Sequence, residues 1–319
     1  CEGTFVGDRD LVTKEIAGAV TDSRQVQKDY LFIPIKGARV DGHDFIPQVF
    51  EKGALVVLSD HALPEETGPY ILVSSTTEAM KKIAAFYRTQ LSCKVVGITG
   101  SVGKTSTKEM IASVLEQRYK VLKTEGNFNN EIGLPLTIFK IRAKHEVAVL
   151  EMGISDFGEM HRLAAMARPD IGVITNIGLC HLENLGTRDG ILQAKTEMFD
   201  HLQVDGTVIL NGDDDKLSTK KEVNGKPVIF YGVGADSAFD IKKDIYATDI
   251  ENHGLEGMRA KIHTPQGDFD AKIPIPGEHN VYNALAGTAV GLSLGLSLDQ
   301  ISSGLLKAKT IGGRTNLLN

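Results

Sequence analysis

Short apolar runs alternate with amphipathic stretches along most of the chain, and their lengths separate strands from helices. In the first 90 residues, compact apolar runs predict strands, whereas longer stretches with apolar positions three to four residues apart predict helices. The predicted strands are residues 30–35, 54–58 and 70–73, and the predicted helices are 45–52 and 77–90. This pattern indicates a small N-terminal α/β domain.

The rest of the chain continues the alternation, but its apolar runs are continuous. Such runs are typical of strands covered on both faces, as in a parallel sheet flanked by helices. We therefore expect a domain at 1–90, a doubly wound and mostly parallel sheet at 91–312, and a linker at 313–319. The predicted strands of the second domain are residues 95–99, 147–151, 171–176, 207–211 and 228–231.

Residues 245–275 depart from this pattern and predict a small antiparallel element. Turn residues at Gly254 and at 265–268 separate stretches of alternating apolar residues, as in β-hairpins. Residues 281–298 carry no charge, but their Asn, Thr and Ser side chains argue against a membrane span. We expect a buried helix pair there, and no insertion into a membrane.

Composition narrows the possible partners and the compartment. A chain of 319 residues with 42% hydrophobic content is long enough for two cores. Its net charge of −6 and the lack of a basic run argue against a nucleic-acid partner. The cysteines, Cys1, Cys93 and Cys180, are scattered, which suggests neither a disulfide framework nor a metal site. With no recognisable secretory signal, we expect a cytoplasmic protein.

A glycine-rich loop between a predicted strand and a predicted helix carries the clearest chemistry. Residues 97–105 read G-I-T-G-S-V-G-K-T, so backbone N–H groups and the helix N-terminus can surround phosphates. The lysine would reach the β- and γ-phosphates of ATP, and the threonine hydroxyl would bind Mg²⁺. The first glycine of the usual motif is replaced by Ile98, and an ordinary capped turn is the alternative. The expected nucleotide-binding residues are Gly100, Ser101, Val102, Gly103, Lys104 and Thr105.

Polar residues also follow the next two predicted strands. Ligands of open α/β sheets collect at the carboxyl ends of the strands. Glu151 ends one of these strands, Asn176 ends the other, and His181 follows five residues later. A carboxylate beside a phosphate loop is suited to bind Mg²⁺, although a solvated strand-end acid is the alternative. A lone loop histidine such as His181 is more often a surface residue than a ligand.

Four further features allow two interpretations each. Lys195 lies on a predicted helix, and its residue pattern alone favours a solvated lysine. The asparagine-rich residues 127–133 can bind a polar substrate or form turns. Residues 22–24, Asp-Ser-Arg, suit a diphosphate or make a surface turn. The aspartates at 213–215 are similar to a metal cluster, but we interpret them as a solvated loop after a strand.

Several longer motifs together resemble one family, the Mur ligases. The motifs are residues 99–105, 125–135, 150–153 and 277–285, with 22–24 and 41–46 in the first domain. The resemblance covers essentially the whole chain. It implies a UDP-substrate domain and a central ATPase domain, with the family's third, C-terminal domain missing from this chain. We therefore expect a fragment that binds nucleotide but turns over poorly.

The resemblance assigns roles to individual residues. It implies that Lys195 is carbamylated, which converts a cation into an anionic oxygen ligand. This replaces the interpretation of Lys195 as a solvated lysine. The implied catalytic residues are Lys104, Glu151, His181 and Lys195. The implied ligands of two Mg²⁺ sites are Thr105, Glu151, His181 and Lys195. Further implied nucleotide contacts are Ser106, Asn280, Asn283 and Arg314. The implied substrate contacts are Ser23, Arg24, Asn127, Asn129 and Asn130.

The resemblance also implies a reaction, the ATP-dependent formation of an amide bond in peptidoglycan precursor synthesis. ATP would phosphorylate the terminal carboxylate of a UDP-N-acetylmuramoyl-tripeptide, and the amine of D-alanyl-D-alanine would attack the acyl phosphate. The protein would act as a monomer. Two alternatives stay open: another Mur or folylpolyglutamate-type ligase, or a nucleotide-binding module without ligase activity.

Overall fold

The computed structural model describes residues 1–236 and 238–309, which form an α/β protein. Its strands are β1 Thr4–Val6, β2 Gly18–Val20, β3 Tyr30–Phe32, β4 Val56–Ser59, β5 Tyr70–Leu72, β6 Lys94–Thr99, β7 Val121–Lys123, β8 Val147–Glu151, β9 Ile171–Ile174, β10 Thr207–Asn211, β11 Glu222–Val223, β12 Lys226–Val233, β13 Ile245–Asn252, β14 Met258–Thr264 and β15 Gly267–Ile273. Its α-helices are α1 Ile46–Glu51, α2 Thr76–Thr89, α3 Lys104–Leu115, α4 Gly133–Ile138, α5 Glu159–Ala167, α6 Leu182–Leu185, α7 Arg188–Thr196, α8 His279–Ser293 and α9 Leu298–Leu306.

The chain divides into two compact units. The first unit contains residues 1–90 and 131–140, and the second contains residues 91–130 and the chain from 141 on. The sheet of the first unit has the strand order β1-β5-β4-β3-β2, in which only the β1–β5 pair is antiparallel. Its core is a cluster of buried apolar side chains: Val26, Phe32, Ile46, Val49, Val57 and Tyr70.

The segment 131–140 rejoins the first unit although it lies within the sequence of the second. It contains α4, which packs against α2, and Glu131 forms an ion pair with Lys81 over 3.1 Å. No sequence signal indicated this return, because it depends on contacts between residues far apart in the chain. The functions assigned to the two predicted domains stay predictions.

The second unit contains a large, mostly parallel sheet. Its strand order is β15-β14-β13-β12-β10-β9-β6-β8-β7. The short strand β11 pairs in the antiparallel sense with the first two residues of β12. All pairs from β7 to β13 along this order are parallel, whereas β13, β14 and β15 form an antiparallel meander. The predicted α/β class, with a doubly wound sheet and a small antiparallel element, is confirmed. The meander extends the same sheet, because β13 pairs with β12 in parallel.

Helices cover both faces of this sheet near its centre. Helices α3, α8 and α9 pack on one another, and their apolar side chains share a core with Val96 and Ile98 of β6. Successive side chains of a strand point to opposite faces, so Gly97 faces the other side. A Cβ at Gly97 would lie 3.2 Å from the sulfur of Met198, which follows α7. This two-sided burial explains the continuous apolar runs.

Several element bounds differ from the sequence-based expectation. β9 ends at Ile174, so Asn176 lies beyond the strand, in the loop that follows it. Three of the five three-residue strands of the described chain, β1, β2 and β7, were not predicted, since such short elements leave almost no periodicity. Arg314 and the expected linker at 313–319 lie outside the described residues.

Candidate active site

The glycine-rich loop connects the central strand β6 to α3, as the sequence predicts. Gly100 has φ +152° and Gly103, directly before α3, has φ +82°. Both values lie where side chains with a Cβ are strained, so the glycines allow the loop to turn into the helix. The helix N-terminus therefore carries unpaired N–H groups and the positive end of its dipole at the loop, which favours an anion such as phosphate.

The loop is held by the segment that follows β9. The side chain of Thr175 donates a hydrogen bond to the carbonyl of Val102 over 2.8 Å. Asn176 accepts from the N–H of Val102 over 3.0 Å and donates to the carbonyl of the same residue. The N–H of Gly178 donates to the hydroxyl of Ser101 over 2.8 Å. The loop is thus preorganised, and Asn176 acts as its support.

The charge of Lys104, at the loop, acts on a second lysine, Lys195. Lys104 donates from Nζ to the carbonyl of Gly100 over 2.9 Å, so its amine rests on the loop. Lys195, on α7, is 1% exposed, and within residues 1–236 and 238–309 its amine has no hydrogen-bond or ion-pair partner. Burial, with the charge of Lys104 as a second cause, lowers the pKa of Lys195 to about 8. A buried amine of low pKa supplies a neutral nucleophile near neutral pH.

A second cluster surrounds Glu151 at the end of β8. Its Oε1 accepts from the hydroxyl of Thr105 over 3.2 Å and from Nδ2 of Asn129 over 2.9 Å. Its Oε2 is buried and accepts no hydrogen bond. A buried carboxylate oxygen without a donor, beside a hydroxyl, is a donor set suited to a hard cation such as Mg²⁺.

Lys108 and Thr124 complete this cluster, and the sequence analysis missed both. Lys108 is 1% exposed, donates to the carbonyl of Thr124 over 2.6 Å, and lies 3.8 Å from Oε2 of Glu151. The hydroxyl of Thr124 accepts from the N–H of Glu151. Lys108 lies four residues after Lys104 and therefore on the same side of α3, which was the available signal.

A cleft of about 400 Å³ lies next to the loop in the second unit. Its lining includes Val102 and Gly103 of the loop and Asn283 of α8. Asn283 accepts from the hydroxyl of Thr107 over 2.8 Å and donates to Asn280 over 2.9 Å. Both predicted asparagines therefore belong to one buried network that ties α8 to α3 beside the cleft. Asn280 and Asn283 do not contact Glu151.

Asp213 and Asp214, in the loop after β10, also line this cleft and are half-buried. The interpretation as a solvated loop therefore fits the exposed Asp215 but not these two residues. Asp213 forms an ion pair with the buried Lys243 and accepts from the phenol of Tyr282 over 3.1 Å. Asp214 accepts from the N–H of Ile177 over 2.8 Å. Burial, together with the charge of Asp213, raises the pKa of Tyr282 to about 12. These acids anchor the cleft wall.

Other predicted residues lie apart from the clusters. His181 is exposed, has φ +56°, and within the described chain its side chain contacts neither Glu151 nor Lys195. Asn127 and Asn130 are exposed, in contrast to Asn129. Ser106 is half-buried in the first turn of α3. Their proposed roles stay predictions.

The diphosphate candidate lies in the first unit, on a short turn. Asp22 accepts from the N–H of Arg24, and its carboxylate pairs with the Arg24 guanidinium over 2.7 Å. This pairing lowers the pKa of Asp22 to about 2. Ser23 is 9% exposed, and its carbonyl accepts from Lys52. The arginine side chain is 85% exposed and is held in place by Asp22.

The fold and the loop define a P-loop-type nucleotide-binding α/β protein. Among the described residues, no helix has the length and apolar character needed to cross a bilayer. Residues 98–291 match the Mur ligase middle domain, and residues 15–88 match the Mur ligase family, catalytic domain. The chain belongs to the Mur ligase family.

Curated relatives include UDP-N-acetylmuramoyl-tripeptide–D-alanyl-D-alanine ligases. The Bacillus subtilis (strain 168) protein is 41% identical over 305 residues, which are 95% of this chain and 64% of that protein. The Escherichia coli (strain K12) protein is 36% identical, and the match covers 96% of this chain and 68% of that protein. The chain thus spans about two thirds of their length.

Solved structures agree with this relationship. A crystal structure of MurF from Acinetobacter baumannii matches with a TM-score of 0.87 at 35% identity, covering 96% of this chain and 66% of that chain. The MurF ligase from Thermotoga maritima in complex with ADP matches with a TM-score of 0.82 at 31% identity, covering 97% and 69%. The family fold is therefore present in both units.

Proposed function

We propose that this chain binds ATP and a UDP-N-acetylmuramoyl-tripeptide for ligation to D-alanyl-D-alanine, as the names of its relatives describe for those proteins. The observation that carries the proposal is the grouping of Lys104, Thr105 and Glu151 at the carboxyl ends of the parallel strands β6 and β8. The charge of Lys104 also acts on the buried Lys195 of α7. The Thermotoga relative was solved in complex with ADP, which supports nucleotide binding by this chain. ATP and a UDP-linked precursor are cytoplasmic metabolites, so we assign the reaction to the cytoplasm.

The proposed ligands of a first Mg²⁺ are Thr105 and Glu151, and those of a second are His181 and a carbamylated Lys195. Oε2 of Glu151, which is buried and accepts no hydrogen bond, supports the first site. When bound, Mg²⁺ would neutralise phosphate charge during transfer. The exposed position of His181 gives the second site less support, because no other proposed ligand contacts this histidine within the described residues.

The proposed carbamate on Lys195 is supported by burial and by charge. Carbamylation requires a neutral amine that attacks CO₂, forming an N–C bond and releasing one proton. With a pKa of about 8, roughly a tenth of the Lys195 amine is neutral at pH 7. The product is an anion beside Lys104, so the like-charge repulsion between the two lysines becomes attraction.

The protein residues then act by positioning and electrostatics. Lys104 exchanges the carbonyl of Gly100 for the phosphates of ATP, and the substrate carboxylate attacks the γ-phosphorus, giving ADP and an acyl phosphate. The amine of D-alanyl-D-alanine attacks the acyl carbon, inorganic phosphate leaves, and the amine loses a proton. Asn129 holds Glu151 in place from the side of the asparagine-rich loop. No covalent bond to the protein is needed.

Calorimetric titrations of the chain with Mg²⁺–ATP and with UDP-N-acetylmuramoyl-tripeptide test this proposal. We expect Lys104→Gln to weaken ATP binding at least tenfold and to leave the tripeptide unaffected. We expect Arg24→Gln to do the reverse, while Arg9→Gln, at an exposed arginine of the same unit, changes neither affinity. ATP binding with no affinity for the UDP-tripeptide contradicts the proposal and favours a nucleotide-binding module. A preference for a pteroylglutamate favours a folate-type ligase.

The carbamate is tested separately by ¹³C NMR in labelled bicarbonate. We expect a carbamate resonance in the wild type and in Lys243→Met, whose lysine is equally buried, and its loss in Lys195→Ala. A short carboxylic acid such as propionate should restore Mg²⁺-dependent ATP binding to Lys195→Ala but not to Lys104→Ala. Undiminished ATP binding by Lys195→Ala without added acid would contradict a role for the carbamate.

A further inference from the structure

The first unit contains a cluster of two histidines and one aspartate that the proposed reaction does not use. His43 lies in the 3₁₀ helix Gly42–Phe45, and Asp60 and His61 directly follow β4. One side-chain nitrogen or oxygen of each residue lies within 4.8 Å of the others. The cluster therefore joins two loops that are far apart in the sequence.

His43 is held so that one ring nitrogen faces the cluster without a hydrogen bond. Its side chain is 7% exposed, and its Nδ1 lies 2.6 Å from Oδ1 of Asp41. The same oxygen accepts from the backbone N–H of His43, which fixes the turn. A carboxylate oxygen can only accept, so Nδ1 is the donor of this bond, and Nε2 is the ring nitrogen that faces the cluster. Nε2 is buried and makes no hydrogen bond.

A carboxylate oxygen lies opposite this nitrogen. Nε2 of His43 lies 3.4 Å from Oδ1 of Asp60, and no hydrogen bond joins the two atoms. A metal ion between them would give both atoms a partner. Two ligands on a tetrahedral zinc ion, each bonded at about 2.0–2.1 Å, are about 3.3 Å apart. The observed separation therefore fits two ligands of one ion.

His61 supplies a third donor at the same place. Its Nδ1 lies within hydrogen-bond distance of Oδ1 of Asp60, at 2.8 Å, so a bound ion would replace this bond. Its ring centroid is 5.0 Å from that of His43. The hydroxyl of Ser59 bonds both the N–H and the carbonyl of His61, so the backbone is fixed. The His61 side chain is 56% exposed, so its ring can rotate towards the ion.

We propose that His43, Asp60 and His61 bind one Zn²⁺ ion, with water as the fourth ligand. Two imidazoles and a carboxylate suit zinc, whereas Mg²⁺ and Ca²⁺ prefer oxygen ligands throughout. Asp41 holds the His43 ring by the carboxylate–histidine arrangement that commonly orients zinc ligands. The ion would join the loop after β4 to the turn that precedes α1. The site is independent of the ligase function proposed above.

Zinc calorimetry on the chelator-treated chain, with Co²⁺ absorption as a geometric readout, tests this site. We expect the wild type to bind one more Zn²⁺ than His61→Ala, and its Co²⁺ complex to show the intense visible bands of four-coordination. Asp41→Asn can still cap the turn but should bind zinc about 10–100-fold more weakly. His253→Ala is the matched control, because His253 bonds the Glu251 carboxylate over 2.9 Å in the other unit.

Two results would overturn the proposal. One is equal zinc stoichiometry and affinity in the wild type and in His61→Ala. This variant keeps all three cysteines, so any zinc that the thiols bind is the same in both proteins. The other is displacement of the zinc by millimolar Mg²⁺. Because His61 is exposed, the metal-free His61→Ala variant should have the same circular dichroism spectrum and Tm as the wild type. A difference in zinc binding then does not come from misfolding.

Discussion

Replacing Lys195 with methionine should stabilise the second unit while removing its proposed carbamate. Lys195 is 1% exposed, and its amine has no hydrogen-bond or ion-pair partner among residues 1–236 and 238–309. Burial lowers its pKa from the ordinary 10.5 to about 8. Keeping the amine protonated in the folded chain therefore costs roughly 3 kcal/mol at pH 7. Methionine has a similar shape and carries no charge, so it removes this cost.

The sign of the pH dependence follows from the lowered pKa. The unfolded chain binds more protons than the folded chain between the two pKa values, so the free energy of unfolding of the wild type rises with pH there. The cost is complete below about pH 8 and disappears as the pH approaches 10.5. The advantage of Lys195→Met should therefore fall from about 3 kcal/mol at pH 7 to about 2 kcal/mol at pH 9.

Urea unfolding followed by circular dichroism measures this difference, since the chain has no tryptophan. The buffer should be free of CO₂ and of divalent cations, so that the amine stays unmodified. Lys243→Met is the matched control, because that buried amine pairs with Asp213 and donates to the carbonyl of Val233. We expect the control to lose about 1–3 kcal/mol. A loss of stability in Lys195→Met, or a gain that does not change with pH, would refute the reasoning.

Three further changes test the nucleotide site. Glu151→Gln should weaken ATP binding at least tenfold in the presence of Mg²⁺ and little in its absence, as measured by calorimetry in both buffers. An equal loss of ATP affinity with and without Mg²⁺ would argue against metal binding by Glu151. Gly100→Ala should destabilise the chain more than Gly103→Ala, because the new Cβ at position 100 would lie 1.9 Å from Oγ1 of Thr175. At position 103 the new Cβ meets no atom of the described chain, and only backbone strain of about 1–2 kcal/mol arises from the positive φ. Equal Tm values for the two variants would contradict this. Asn283→Ala should lower the affinity for ATP without changing the affinity for inorganic triphosphate. An equal loss of affinity for both ligands would argue against a contact between Asn283 and the adenosine.

The parts of the site that the sequence predicted are those set by local rules. The loop at residues 97–105 was recognisable because its spacing and the flanking strand and helix are contiguous in the chain. Glu151 followed from the rule that ligands meet the carboxyl ends of parallel strands, which needs only the strand bounds. The bounds of β8 and β10 were correct because both strands are continuous apolar runs.

The parts that the residue pattern missed depend on contacts between distant segments. Nothing local to Lys195 distinguishes a buried lysine from a solvated one, because its burial depends on which side of α7 packs inward. Asp213 was misread for the same reason, since Lys243 and Tyr282 come from other elements. The asparagine-rich loop could not be resolved residue by residue, and the structure places only Asn129 against Glu151.

The three buried lysines of the described chain show what such burial implies. Lys108 and Lys243 each donate to backbone carbonyls and lie near a carboxylate, so their charges are compensated. Lys195 has neither kind of partner, and the charge of a second cation, Lys104, lowers its pKa further. A fold selected for stability alone would place an apolar residue there, because an unpaired buried charge is among the costliest features a core can contain. The proposed carbamate would replace this cation by an anion that attracts the charge of Lys104, so the cost of the unpaired amine is an argument for the proposed modification.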